Sequence, residues 1–412
     1  MSTRSASWSR PAERASVALA AVCAAGAFAT SWGLLHLPVY AHAQIRDTPV
    51  YRTYGEAVVH GEVPYRDFGV EYPPGALPVF VLPAIGSPSE HGYRTRFDLL
   101  MLVCGIGAVA AVAAALGALG AGSTRLLWAL AFTAVTPLLL GSVLLTRYDL
   151  WPAALAAAAL ATLCAGRDRL SLALLGLATA AKVYPAVLAP LFVAHVWRRR
   201  GAREAAVAAG IGLVVTAAIF APFVALAPGG ARDTVVRQTT RPLQIESLGS
   251  AVLVAAHHLF GLGLRLDSSH GSQNLGGSLP DAVGAAESAL VLAGLTALWL
   301  WFARRPRDTE TLVRASAAAV CLFVAFGKVL SPQYMIWLIP LVPLVRGRRG
   351  LAAGGLFALA LVLTQLWFPD RYWNLVYGFG GYESALVLAR DLVLLALLGV
   401  LIWPPQTSTR TA

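Results

Sequence analysis

The sequence predicts an all-α polytopic membrane protein, on three observations. The 412-residue chain is 57% hydrophobic and only 13% charged, where soluble domains carry about a quarter charged residues. Its mean hydropathy is +0.66. Apolar stretches of about 20 residues, the length a helix needs to cross a bilayer, recur from end to end. The net charge of +11 then speaks to topology, because membrane proteins concentrate arginine in cytoplasmic loops. These cations are scattered between apolar runs rather than gathered on an aromatic-rich surface, so no nucleic-acid partner is expected. Cys23, Cys104, Cys164 and Cys321 all lie in apolar runs without paired spacing, which suggests neither disulfides nor a metal site.

At the N-terminus Arg4, Arg10 and Arg14 precede an apolar run from Ala15 to Leu35. A signal peptide cleaved after Ala41-His42-Ala43 is one reading. The run exceeds the roughly 7–15-residue core of such peptides, so a retained first span is expected. Arg167/Arg169, Arg198–Arg200 with Arg203, Arg304/Arg305/Arg307 and Arg346/Arg348/Arg349 mark the cytoplasmic side. Spans then fall near 15–36, 97–118, 126–145, 150–165, 204–227, 282–303, 351–368 and 384–403. Residues 170–197 and 312–345 have arginines at both ends, so each enters and leaves on one side as a hairpin of two short helices. The total is about 12 transmembrane helices in a single domain (15–403), with a cytoplasmic N-terminus (1–14) and tail (404–412) in a multi-pass plasma-membrane protein.

The hairpins carry the oddest feature. Among 32 Lys and Arg residues only Lys182 and Lys328 are lysine, and each sits inside an apolar run just ahead of a proline. Proline disfavours a continuing helix, and irregular backbone at membrane depth is tolerated where it lines protein or water. Arms of about 11–16 residues, at 1.5 Å per residue, put the tips below the outer surface, facing a cavity. A cation there calls for an anion; snorkelling lysines at helix ends are the simpler alternative.

The long outer segments are 37–98, 228–281 and 369–383. The first carries seven acids and five arginines, against the basic pattern of the inner loops. Thr48 followed by Pro49 reads as an N-cap and first helical residue of an amphipathic helix through Val59, ended by Gly61. Pro73-Pro74 opens a short apolar segment along the membrane surface, and 247–264 reads as another interfacial segment. Asp47, shortly after the first span, can act as a general base toward a hydroxyl; its alternative role is to stabilise the helix start. Asp67 and Glu71 form a second acidic pair beside Arg66, either functional or merely ion-paired. Arg147, Tyr148 and Asp149 occupy an outer turn that would face the same cavity. Arg237, Arg241 and Glu246 lie on the next outer loop, where arginine suggests an anionic partner. His257-His258 read as interfacial packing. Phosphate loops, dinucleotide fingerprints, nucleophile elbows and paired-histidine zinc motifs are all missing from the sequence.

Five blocks in order, "VYRTYGEAVVHGEVPYRDFGVEYPPGALPVFVLPA", "RYDLWPAALAAAALA", "AAKVYPAVLAPL", "RPLQIESLGSA" and "KVLSPQYMIWLIPL", resemble glycosyltransferase family 87. The resemblance runs from about residue 35 to 370. It implies the GT-C membrane fold and polyprenyl-phosphate-mannose-dependent α-mannosyl transfer, inverting, with an essential Asp in the first outer loop. Asp47 matches that position. It further implies that Lys182, Lys328, Arg147 and Arg241 hold the donor phosphate. Asp67, Glu71, Asp149, Glu246, Tyr184 and Gln333 are further candidates for binding substrate or supporting the site. The acceptor, a glycolipid or glycan of the cell envelope, is not fixed by any residue pattern. One base and a cationic clamp suffice for this chemistry, so no cofactor is expected; a second acid such as Asp149 leaves room for a divalent metal without requiring one. A transporter or flippase for a lipid-linked sugar is the rival reading, since broken helices in two corresponding places also mark transport paths.

Overall fold

The computed structural model describes residues 11–41, 44–304 and 308–403. His42 and Ala43 of the cleavage reading, most of the 1–14 segment, Arg305, Arg307 and the 404–412 tail lie outside the described residues.

In chain order, α1 (Pro11–Leu34) leads through a one-turn α2 (Pro38–Ala41) to the long loop bearing α3 (Thr48–Val59), a 3-10 turn at Pro74–Ala76 and α4 (Leu77–Ala84). Next come α5 (Glu90–Ala118), α6 (Ser123–Leu140), the one-turn α7 (Val143–Thr146) and α8 (Leu150–Cys164). A hairpin follows, with α9 (Asp168–Ala181), a 3-10 turn at Tyr184–Leu188 and α10 (Ala189–Arg200). After α11 (Ala202–Leu226) a second long loop carries α12 (Pro228–Thr239), β1 (Leu243–Gln244), α13 (Leu248–Phe260), β2 (Arg265–Ser269) and β3 (Ser272–Gly276). The chain ends with α14 (Ser278–Ala303), α15 (Thr309–Ala325), 3-10 segments at Pro332–Leu338 and Val342–Leu344, α16 (Gly347–Trp367), α17 (Tyr372–Gly378) and α18 (Gly381–Ile402).

Among the described residues seven helices, α1, α5, α6, α11, α14, α16 and α18, are long and apolar enough to cross a membrane. The shorter helices fill the space between them: α8 packs on α5 and α9, and α9 in turn packs on α11. The arginine-rich ends are stitched together. Arg125 forks onto Glu310 at 2.5 and 2.8 Å and also reaches the Leu344 carbonyl. Arg199 and Arg200 both pair with the buried Asp168.

The fold is helical, as the composition requires, with three departures from the expected elements. The first hairpin is built as two helices meeting at Lys182-Val183. The second is not: after α15 its return arm runs in 3-10 turns, because Pro332, Pro340 and Pro343 remove amide donors too often for an α-helix. The span expected over 126–145 is interrupted by Gly141 at φ 76, which separates α6 from α7. A small antiparallel sheet, ordered β1-β3-β2, occupies part of the second long loop. Its hairpin turns at His270-Gly271, both at positive φ.

Two close approaches fix the loop after α1 onto the bundle. A Cβ on Gly55 of α3 would lie 2.2 Å from the Phe80 carbonyl oxygen of α4, and one on Gly75 would lie 2.5 Å from the Ala180 carbonyl carbon of α9. Only glycine lets these backbones touch. The Trp151 indole of α8 donates to the Gly75 carbonyl at 3.1 Å. The loop segment is thereby held against α8 and the end of α9.

Candidate active site

The start of α3 does not use Thr48 as its cap. Asp47 is the N-cap, Thr48 the first helical residue, and Asp47 makes no side-chain cap bond. Its backbone is αR (φ −94, ψ −7), whereas a capping side chain normally turns back from a β-region residue. The Asp47 carboxylate is therefore not spent on capping the helix. It pairs with Arg147 and accepts from the Tyr51 hydroxyl at 3.3 Å. Arg147 is 5% exposed and its Nε has no hydrogen-bond partner, while the Asp47 side chain keeps 31% of its surface open. Rings of Tyr51, Tyr72, Phe80 and Tyr148 pack together here with centroids 4.5–5.7 Å apart, edge to face except for the stacked Tyr51–Phe80 pair.

A second ion pair lies next in the chain. Lys182 ends α9 in extended backbone and its Nζ sits 2.6 Å from Asp149 Oδ1. The same oxygen accepts from the Trp337 indole at 2.6 Å. The ammonium also lies 4.6, 5.3 and 5.7 Å from the ring centroids of Tyr148, Trp337 and Tyr334. Trp337 is itself sandwiched between Tyr184 and Tyr334, at 4.1 and 4.0 Å. The hairpin-tip lysine is thus paired and boxed by aromatic rings rather than left bare. Within reach of both pairs, two acids and two cations cancel.

Lys328 occupies a different setting. Half-buried at the second tip, it donates to the Thr239 carbonyl at 3.0 Å. Arg241 stands close enough to act electrostatically on it and on Tyr334; its buried Nε is unpartnered. Tyr334 therefore links the Lys182 box to the Arg241–Lys328 cations. Gln244 ties β1 to this tip by donating its amide to the Lys328 carbonyl at 2.9 Å. Its side chain donates to Glu246 Oε2 at 2.5 Å. Glu246 is 1% exposed, and its other oxygen lacks a partner. Burial pushes this loop carboxyl up to about 8, against the opposing pull of Arg390, Arg147 and Arg241. The Tyr184 hydroxyl and Gln333 Oε1 are also buried without partners.

The acidic pair of the first long loop separates. Asp67 binds Arg66 through two contacts at 2.8 Å and the Val63 amide at 2.7 Å, which hold its carboxyl down to about 2. It staples its own loop and is not brought to the Asp47 cluster. Glu71 faces Arg237 at 3.6 Å, and its carbonyl accepts from Gln238. His257 and His258 bond to the carbonyls of Leu262 and Phe379. No group of three or more His, Cys, Asp or Glu suited to a metal ion occurs among the described residues.

Sequence reasoning missed Arg390 and Asp391. They form a fully buried ion pair at 2.6 Å inside α18, and Arg390 donates to the Glu246 carbonyl at 2.7 Å. Charges inside a span are costly and mark structured polar contacts, so this pair was visible as an interruption in the last apolar run. Tyr334 and Trp337 were visible only as part of a familiar block.

A model of glycosyltransferase family 87 matches residues 71–332. The crystal structure of ArnT from Cupriavidus metallidurans bound to undecaprenyl phosphate is similar, at a TM-score of 0.49 and 15% identity, over 93% of this chain and 76% of that one. No curated protein matches. The family match takes in well over half of the chain, which therefore belongs to glycosyltransferase family 87. With its seven apolar helices, it is a membrane glycosyltransferase.

Proposed function

From membership of glycosyltransferase family 87, we propose that this chain transfers mannose from a polyprenyl-phosphate donor to a glycolipid or glycan acceptor of the cell envelope. The reaction inverts the anomeric centre, and Asp47 is the general base. The acceptor hydroxyl oxygen attacks the anomeric carbon and gives its proton to the Asp47 carboxylate. The bond from that carbon to the phosphate oxygen breaks, and the polyprenyl phosphate leaves with the electron pair.

The observation that carries this reading is the Asp47–Arg147 pair. The carboxylate caps no backbone amide of its helix, is partly open, and is set against a buried guanidinium with an unpartnered Nε. A carboxylate held by arginine is a weak base. A donor phosphate that takes up Arg147 releases Asp47, so base activation follows donor binding. Lys182, Arg241 and Lys328 complete a clamp of four cations aimed at the leaving phosphate, the kind of preorganised charge that usually dominates such catalysis. The clamp supplies the charge that a divalent ion would bring, so the mechanism requires no metal. The unpartnered Tyr184 hydroxyl, Gln333 carbonyl and Glu246 oxygen suit hydrogen bonds to sugar hydroxyls. The arginine-rich ends support a cytoplasmic position for both termini and an outward-facing site.

The test is Asp47→Asn, assayed with labelled polyprenyl-phosphate sugars and a cell-envelope lipid extract. General-base assistance contributes about 10²–10⁴-fold, so turnover falls by that order while donor binding stays near wild type. An active Asp47→Asn protein beside a dead Asp149→Asn one would move the base. Movement of the labelled lipid across the bilayer without transfer would favour the flippase.

A further inference from the structure

The second long loop does not stay clear of the helices. Gln244, Ile245, Glu246 and Ser247 are all buried, and α13, which follows them, packs on both α14 and α18. Each of those helices carries a buried charge that the transfer chemistry does not use, Glu287 in α14 and Arg390 in α18. Each charge lies nine residues beyond the first residue of its helix, Ser278 or Gly381, about 14 Å along the axis at 1.5 Å per residue. Ionisable groups at such depth in apolar helices are costly and signal a specific partner.

Here both partners are backbone groups of one loop segment. Arg390 Nη2 donates to the Glu246 carbonyl at 2.7 Å, and Glu287 Oε1 accepts from the Gly249 amide at 2.6 Å. A guanidinium thus takes the carbonyl and a carboxylate the amide, three residues apart, each in a charge-assisted bond of the stronger kind. Asp391 pairs with Arg390 at 2.6 Å, so the pair carries no net charge. The contact at Gly249 is tight: a Cβ there would lie 2.5 Å from Val283 Cγ1 and 3.0 Å from Glu287 Cδ. Just upstream, the Gln244 amide donates to the Lys328 carbonyl and its side chain donates to the Glu246 carboxylate. The gripped segment therefore sets where Glu246 stands, and through β1 it sets the register between Arg241 and the Lys328 tip.

Given Arg241, Glu246 and Lys328 as contacts of the sugar donor, the reading on which this rests, we infer that Arg390 and Glu287 are positioning residues for the transfer. They grip the Glu246 carbonyl and the Gly249 amide, and so hold the contacts of the second long loop against the second hairpin tip. Preorganised charge is effective only while it stays in place. Loss of either grip lets the segment drift, and a misplaced contact is felt as a higher KM for the sugar donor. Partial unfolding acts differently: it lowers the active fraction, hence kcat, and leaves that KM alone.

The experiment measures KM and kcat for labelled polyprenyl-phosphate mannose on the full-length protein in detergent, with a cell-envelope lipid extract as acceptor. Thermal unfolding of each variant is followed alongside, and an undecaprenyl phosphate isotherm reads the same order of affinities whichever sugar is transferred. Arg390→Met/Asp391→Leu removes the pair without stranding a charge, and Glu287→Leu removes the partner of the Gly249 amide. Each raises the KM about tenfold or more, the size of one lost charge-assisted contact. Glu287→Gln keeps an oxygen for the Gly249 amide and recovers most of the affinity. Gly249→Ala disturbs the same contact from the loop side with every charge in place, and raises the KM even if Glu287→Leu does not fold. An unchanged KM overturns the assignment of the residue concerned, as does a Glu287→Gln protein as impaired as Glu287→Leu. Arg241→Gln and Glu246→Ala are measured in parallel. If both leave the KM unchanged, the reading of this loop as a donor contact fails. If they raise it while the grip variants do not, the grip alone fails.

Discussion

Lys182 and Asp149 form a buried ion pair, Nζ to Oδ1 at 2.6 Å, between the tip of one hairpin and the start of α8. The carboxylate is 1% exposed and takes a further bond from Trp337. A pair of this kind adds little net stability relative to an apolar replacement, but removing one partner strands the other charge. The proposed donor-binding role of Lys182 must therefore be separated by substitution from its part in this pair.

Lys182→Met should lower stability by about 3–5 kcal/mol, the usual penalty for leaving a buried charge unpaired. It should also abolish donor binding. Lys182→Met/Asp149→Asn should recover most of the stability, because no uncompensated charge remains, while donor affinity stays lost. Denaturant titration in detergent and a donor-binding isotherm measure the two effects. Recovery of donor affinity together with stability would make Lys182 purely structural.

Lys328 provides the contrast. It is half-buried, donates to the Thr239 carbonyl, and among the described residues has no carboxylate paired with it to strand. Lys328→Met should change stability by less than about 1 kcal/mol, as a lost exposed contact does. If it grips phosphate, the loss of one charge-assisted contact, worth about 1.5–3 kcal/mol, weakens the donor on the order of tenfold or more. Unchanged donor affinity would restore the snorkelling role for this lysine.

The two lysines show how far sequence could reach. Their placement in apolar runs ahead of proline located both hairpin tips, because a lysine in such a run demands a reason and proline supplies the break. What each lysine touches could not be read, since Asp149 and Thr239 reach them only through tertiary packing. Asp47 and Arg147 were likewise each visible as outer charges, but their pairing depends on α3 being pressed onto α4 and α9 at Gly55 and Gly75. The helical return arm expected after Lys328 failed for a local reason: three prolines in 332–343 were present in the sequence and should have outweighed the apolar run. The β2–β3 hairpin also had a local signal, the His270-Gly271 turn between short polar strands. An Asp beside an Arg looks the same whether it serves a ligand or its own loop, which left both readings of Asp67 open until its bonds to Arg66 and Val63 were placed.

Topology is open to a direct check. In a background without the four native cysteines, Glu62→Cys, exposed after α3, should react with a membrane-impermeant thiol reagent on intact cells. Arg203→Cys and Arg348→Cys, exposed at the starts of α11 and α16, should react only after permeabilisation. The reverse pattern would turn the site inward and remove the reason to look for an acceptor outside.

Glu246 gives the pH dependence its sign. Its folded-state value of about 8 lies above the ordinary range for glutamate, about 4.3, so the folded protein holds a proton that the unfolded chain has released. Between those values the native state binds more protons than the unfolded one, and stability must fall as pH rises. The contribution is fully present below about pH 4 and is lost progressively as pH climbs through 8, with a limiting slope of about 1.4 kcal/mol per pH unit. Glu246→Gln cannot ionise and keeps the amide contact with Gln244 in reach. The variant should therefore show a flatter stability profile between pH 5 and 8, and should be the more stable protein at pH 8. Thermal unfolding in detergent across that range measures both. If the wild type and Glu246→Gln profiles run parallel, the carboxyl is already ionised in the fold. Arg390, Arg147 and Arg241 would then outweigh its burial, and Glu246 would face a sugar as an acceptor of hydrogen bonds only.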